Sequence, residues 1–182
     1  MNLWLRLIWL VASARFRGAL AAPFDVSSVR FRVWPHDLDL SLHMNNGRYW
    51  TLMDLGRTDL MLRMGLWRAW LRHGWTPVVS AGKIRFRREL KPFTPFILET
   101  RVLCWADTWL VIEHRIVSKG SRGQDVTNAV ALVRAGLYDR KTRSFVTTQT
   151  MMDEMGAGAV SPSPSAEVQA FLDAEDAMKR AG

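Results

Sequence analysis

The 182-residue chain contains one cysteine, Cys104. It therefore has no internal disulfide, no Cys-x-x-Cys redox pair and no thiolate zinc cage, and nothing in its cysteine usage points to an oxidising compartment; a cytoplasmic location is expected. Long apolar runs are also missing. In the opening MNLWLRLIWLVASARFRGAL the longest uninterrupted stretch runs from Leu7 to Ala12, far short of the roughly 20 residues that span a bilayer. There is no Gly-x-Ser-x-Gly elbow, no His-Glu-x-x-His and no Walker loop. The closely spaced glycines Gly156 and Gly158 lie in a linker rather than between a strand and a helix. Serine hydrolase, zincin, NTPase and Rossmann readings lose their motifs. One domain-sized chain leaves no room for a separate cofactor domain, and no cofactor is expected.

Hydrophobic residues make up 48% of the chain and charged residues 23%, enough apolar surface to offset the entropy of ordering one core. The formal charge is +8 and unevenly placed. Arg57, Arg63, Arg68, Arg72, Lys83, Arg85, Arg87, Arg88 and Lys91 face only Asp59 and Glu89 in the middle of the chain, whereas the last segment is acidic. Such a field attracts anions, although a solvated basic face is the simpler reading of any single arginine. The basic residues are not interleaved with aromatics in a recognisable nucleic-acid module, so nucleic acid is not an expected partner.

Residues 1–25 read as an amphipathic helix. Trp4, Leu5, Ile8, Val11 and Ala12 recur at helical spacing, which suits packing against the protein body or, as a second reading, peripheral contact with a membrane surface. A cleaved signal peptide is a third reading, which Arg6 opposes. From Val26 the pattern alternates, with Val29, Phe31 and Val33 on one face and Arg30, Arg32 and Trp34 on the other, as in a half-buried strand. The segment 47–65 is apolar around most of its circumference and reads as a helix buried on several sides, with Asn45 or Asn46 as N-cap and Gly65 as its stop. Further strands are expected at 76–87, 96–105, 109–118 and 126–138, with a short one near 144–147. Their connections are too short for parallel crossovers. The economical arrangement is α+β: a curved antiparallel sheet wrapped around one long central helix, over residues 26–150. Its second face and open edge call for pairing with an identical subunit. Residues 151–182 are read as a flexible linker and a C-terminal helix, the helix over 166–180.

The segment WPHDLDLSLHMNNGRYW, 34–50, sets two carboxylates, an imidazole and two carboxamides before the buried helix. A helix N-terminus offers unpaired N–H groups and positive potential that polarise a carbonyl oxygen. Asp39, between Leu38 and Leu40, is the candidate base, partial burial serving to raise its pKa. His43 is placed to donate to the carbonyl oxygen or orient water. The bland alternatives are turn residues for Asp37 and Asp39, a capping role alone for the asparagines and a satisfied histidine at 43. His36 and His43 with Asp37 and Asp39 are also the one polar cluster able to ligate a metal; caps and surface groups are the preferred reading, and no metal site is assigned.

Asp-Leu-Asp-Leu-Ser-Leu-His-Met-Asn-Asn-Gly-Arg-Tyr, 37–49, closely resembles the Asp-x-Asp-x-x-Gly-His-Val-Asn-Asn-x-x-Tyr signature of hotdog-fold thioesterases of the 4-hydroxybenzoyl-CoA and acyl-ACP type. It is closer still to the thioesterase-superfamily-member-6-like branch, with its Leu-His-Met-Asn-Asn. The likeness runs over about 28–148. It implies a hotdog fold and hydrolysis of an acyl-CoA or acyl-carrier-protein thioester by a homodimer or tetramer. Asp39 falls on the catalytic carboxylate, nucleophile or general base, His43 on the histidine beside it, and Asn46 on the helix start whose N–H faces the thioester oxygen. The pocket would be lined by Trp50 and Met53 and completed by a second subunit. Two departures stand out: the usual Gly before the histidine is Leu42, and Ser41 replaces an Asn. The basic turn that some members use for CoA phosphates is Ala106-Asp107-Thr108, so Lys83, Arg85, Arg87 or Arg88 would have to serve; the solvent face of a strand is the plain alternative. Leu42 and the missing basic turn favour a rival reading, a non-catalytic acyl-chain or partner-binding hotdog module.

Overall fold

The computed structural model describes residues 2–181. Alternating segments rich in β-branched and aromatic residues form β1 (Ser27–Arg32), β2 (Trp75–Phe86), β3 (Pro95–Ala106), β4 (Trp109–Lys119), β5 (Asp125–Asp139) and β6 (Ser144–Phe145). β1 buries Ser27, Val29 and Phe31 and exposes the residues between them, the period-2 pattern read from the sequence. All pairs are antiparallel, in the order β1-β3-β4-β5-β2 with β6 on β5. Register shifts at Val79/Ala81, Val102/Cys104 and Ile116/Val117 insert unpaired residues that bend strands and deepen twist. The sheet curls around α2 (Asn46–Arg63), the α+β hotdog arrangement expected.

α2 begins where the Asn45 side chain accepts the Gly47 N–H at 2.8 Å, and ends before Gly65, whose φ of +82° suits only glycine without strain. Tyr49, Leu52, Met53, Leu55, Gly56, Asp59 and Leu60 are all buried, as its nearly unbroken apolar circumference requires. The face carrying Leu52 and Met53 meets Val29, Phe96, Leu98 and Ile116 in the main core; each such side chain taken from water contributes about 1.5–3 kcal/mol. Gly56 permits the close approach. A Cβ there would lie 2.4 Å from Thr100 Oγ1 and 2.9 Å from Leu98 Cδ2.

α1 (Asn2–Ala14) packs on α2 and the core through Leu3, Leu7 and Leu10. This corrects the face drawn from the sequence: Trp4, Leu5, Ile8, Val11 and Ala12 point to solvent. Two ion pairs fix the orientation. Arg6 reaches buried Asp37 at 2.5 Å and Arg17 reaches buried Asp59 at 2.5 Å. Two short helices, α3 (Trp67–His73) and α4 (Thr148–Glu154), stand where the sequence suggested connecting chain. The last strand is correspondingly shorter than 144–147. α5 (Ala166–Ala181) lays Val168, Phe171 and Leu172 over Cys104, Val111 and Leu132 on the sheet's outer face. α5 thus covers part of the face that the sequence reading assigns to a second subunit, and β1 and β2 are the edges of the sheet.

Candidate active site

Between the 3-10 turn Pro35–Asp37 and α2, the chain folds into a tight loop. Leu38 bridges Met44, the Asp39 N–H donates to the His43 carbonyl at 3.0 Å and the Leu42 N–H returns to the Asp39 carbonyl at 3.1 Å. Donation from Met44 N–H to Leu90 O and from Asn45 N–H to Asp37 O pins the loop to the body. Leu42 adopts φ +60° to close it, at the position where the resembling signature carries glycine.

The loop separates two carboxylates that look alike in sequence. Asp37 is fully buried, accepting from the Trp34 N–H, Arg6 and Arg48. Burial alone would raise its pKa, but the Trp34 N–H and the Arg6 and Arg48 guanidiniums outweigh it and hold the carboxyl below the usual range. Asp37 is structural. Asp39 keeps 28% of its side chain accessible and His43 keeps 34%. One Asp39 oxygen accepts the Ser41 N–H at 2.9 Å, an Asx turn, while the other lies 3.3 Å from His43 Nδ1. Leu38 turns to the core, but Leu40 is fully exposed and gives Asp39 no cover. Among the described residues no three His, Cys, Asp or Glu side chains converge as metal ligands.

Asn45 is the cap, so Asn46 is the first helical residue. The Gly47 and Arg48 N–H groups are taken by Asn45, whereas the Asn46 N–H meets no acceptor among the described residues. This exposed donor, with the helix dipole behind it, is the one group of the tip free to meet an incoming oxygen. Tyr49, one turn on, is buried against Phe86, and burial followed by the charge of Glu89 pushes its phenol up to about 12.

β2 passes the same end of the helix. The Trp50 ring lies over Gly82, where a Cβ would sit 2.9 Å away. Lys83 and Arg85 follow on the exposed face of that edge strand. Met53 is wholly buried in the core.

A model of the thioesterase-like superfamily matches residues 33–173. The chain belongs to that superfamily. It is 36% identical over 109 residues to Protein THEM6 of Xenopus laevis, covering 60% of this chain and 53% of that protein, and 26% identical over 123 residues to a probable thioesterase of Saccharomyces cerevisiae, covering 65% and 51%. The chain thus spans about half the length of each of these two relatives. Among solved structures, 4-hydroxybenzoyl-CoA thioesterase from Pseudomonas superposes with a TM-score of 0.63 at 14% identity, over 71% of this chain and 98% of that one. The probable thioesterase YbaW of Escherichia coli gives 0.63 at 19%, over 70% and 95%.

This thioesterase-like chain also has an apolar cavity of about 260 Å³ at the far end of α2, among Leu60, Met61, Met64, Val78, Leu137 and Met151. Its wall on this helix runs from Asp54 to Met64, roughly 12 to 27 Å along the axis from Asn46, and neither Trp50 nor Met53 lines it. Arg57 and Asp54 supply its polar wall. Arg57 bonds Asp54 and also donates to His114 Nε2 at 3.0 Å, so His114 carries its proton on Nδ1 and donates to Thr100 Oγ1 at 3.0 Å. In the sequence His114 is one of four scattered histidines. Its partners lie 57 and 14 residues away, and only its place on an alternating strand, inward beside Ile112 and Ile116, could have signalled burial.

Proposed function

We propose that this superfamily member hydrolyses acyl thioesters of CoA or an acyl carrier protein, as a cytoplasmic homodimer. The observation that carries the reading is the Asp39–His43 pair in the loop that leads into a helix whose first N–H, that of Asn46, meets no acceptor among the described residues. Asp39 takes a proton from water as the water oxygen attacks the thioester carbonyl, or attacks that carbon itself to give a mixed anhydride that water then opens. The C–S bond breaks and the sulfur leaves as thiol, taking back the proton that Asp39 holds in the first route and, in the second, taking one from a water whose hydroxide then opens the anhydride. The Asn46 N–H and His43 donate to the oxygen that becomes negative, interactions that strengthen as charge develops. The names of the relatives, among them a 4-hydroxybenzoyl-CoA thioesterase, support the substrate class. Lys83 and Arg85, with Arg87 and Arg88 beyond them, offer cations to the CoA phosphates.

The apolar cavity is the natural place for the acyl group, and within one chain it is at the wrong end of α2. A twofold axis across the open β2 edge reverses the second helix, bringing each cavity toward the other copy's Asp39. The homodimer reading requires such an axis.

Thiol release from a panel of acyl-CoAs tests the reading. Asp39→Asn is expected to slow release by about 100-fold or more while moving Tm by no more than about 2 °C, because the side chain is not in the core. Calorimetric binding of acyl-CoA without thiol release, or full activity in Asp39→Asn, overturns it in favour of a binding module.

A further inference from the structure

We propose that the outer face of α1, together with α3 and the basic cleft between them, docks this protein onto an anionic lipid surface. The inference is independent of the thioester reading and uses none of its residues. With Leu3, Leu7 and Leu10 spent on the core, α1 presents Trp4, Leu5, Ile8 and Val11 outward, Trp4 at 70% and Ile8 at 62% exposure, and Phe16 continues the strip at 77%. The first polar residue on that face is Arg15. A continuous apolar strip of this size marks an interaction surface. It is held rigidly, since Arg6 and Arg17 anchor both ends of the segment in the buried carboxylates of Asp37 and Asp59.

Charge selects the occupant. Residues 1–24 and 60–88 contain no Asp or Glu, and the fold sets 11–20 of the first against 62–68 of the second. A cleft of about 560 Å³ is lined by Val11, Arg15 and Leu20 from the first and by Arg63, Trp67 and Arg68 from the second. Trp70 and Leu71, further along α3 from Trp67 and Arg68, are exposed as well. Arg15 lies over the Phe16 ring at 4.5 Å and Arg68 over the Trp67 ring at 5.6 Å, which sets exposed guanidiniums beside rings suited to the headgroup level of a bilayer. The carboxylates that border the area are engaged: Asp25 accepts the Ala21 N–H, and Glu154 holds Arg72 and His73.

A second copy of this chain is the poorer match, because it would oppose one basic face with another. The chain's own acidic helix α5 sits on the outer face of the sheet. α1 is about 20 Å long, and no helix among the described residues is long and apolar enough to cross a membrane. The helix lies on the surface, with its aromatic and branched side chains in the interface and the arginines among the phosphates.

Flotation of the full chain with phosphatidylcholine vesicles, with and without phosphatidylglycerol, tests this. Co-flotation and a blue shift of tryptophan emission are expected only with the anionic vesicles, both fading at high salt. The double variant Arg15→Glu/Arg68→Glu should partition at least tenfold less, since each basic residue near such a surface contributes about fivefold. Ile8→Ser should weaken binding to the same vesicles. Arg122→Glu, in the turn between β4 and β5, serves as the control and should bind as wild type; circular dichroism checks that all variants fold. Absence of wild-type binding, equal binding to neutral vesicles, or equal binding by the charge-reversal variant overturns the proposal. So does a wild-type dimer that Ile8→Ser dissociates in sedimentation, or tighter binding to an oligonucleotide than to the anionic vesicles.

Discussion

Leu42 holds φ at +60° in the loop that carries Asp39 and His43, and its side chain is largely exposed. A non-glycine residue in that region costs about 1–2 kcal/mol, while glycine costs about 0.5–1 kcal/mol in chain entropy, and nothing buried is lost by removing the leucine. Leu42→Gly is therefore expected to stabilise the fold by about 0.5–1 kcal/mol, a rise in Tm of roughly 1–4 °C; calorimetry showing no gain would mean that Leu42 contributes contacts of its own. His114 yields a pH prediction. Its burial, then the charge of Arg57, holds its pKa well below 6.5, so the folded imidazole stays neutral while the unfolded one takes up a proton below that pH. The unfolded state then binds more protons, and stability falls as pH drops below 6.5, by at most ~1.4 kcal/mol per unit. Urea unfolding between pH 7.5 and 5 should show that slope in wild type and a shallower one in His114→Gln, since His36 is also held below its ordinary value by burial. The signature in residues 37–49 made Asp39 and His43 legible as candidates, whereas the division of labour between Asp37 and Asp39 was not. Asp37 is buried by an arginine from α1, 31 positions away, and no local pattern announces such a partner.

At the scale of elements, the contact between α2 and β3 rests on the missing side chain of Gly56. The Cβ of Gly56→Ala would press on Thr100 Oγ1, itself bonded to His114, and on Leu98, all three of them buried. We expect about 1–3 kcal/mol of destabilisation from overpacking, read as a lower urea midpoint; a neutral outcome would show that the helix can slide outward without loss. The same elements show what local sequence can reveal. The strands declare themselves through alternation between turn residues, and α2 through its all-round apolar surface. α3 and α4 are seven residues each, too short to develop a helical period, and α3 starts at Leu66 with no side-chain cap. α1 carries two apolar stripes. The heavier one, with Trp4 and Ile8, looked like the packing face. Arg6, by reaching Asp37, turns the leaner Leu3–Leu7–Leu10 stripe inward.

For the whole molecule, what matters is that the candidate carboxylate and the apolar cavity sit at opposite ends of one helix. β1 and β2 are the two edges of the sheet; α1 lies against β1, Arg6 donating to the Arg32 carbonyl and Trp9 meeting Phe31, and α5 occupies the outer face, so the β2 edge is the one we assign to a second copy. If each working site combines Asp39 of one copy with the cavity of the other, damage to the two halves should complement. Asp39→Asn removes the carboxylate. Met61→Trp fills the cavity from its α2 wall. Each alone leaves a homodimer without a competent site. Mixed by unfolding and refolding together, half of the dimers are hybrids with one intact site of two, so thiol release should recover to about a quarter of the wild-type rate. A mixture as inactive as its components, from variants that dimerise normally, would put carboxylate and cavity on the same chain and dissolve the case for a site shared across the β2 edge.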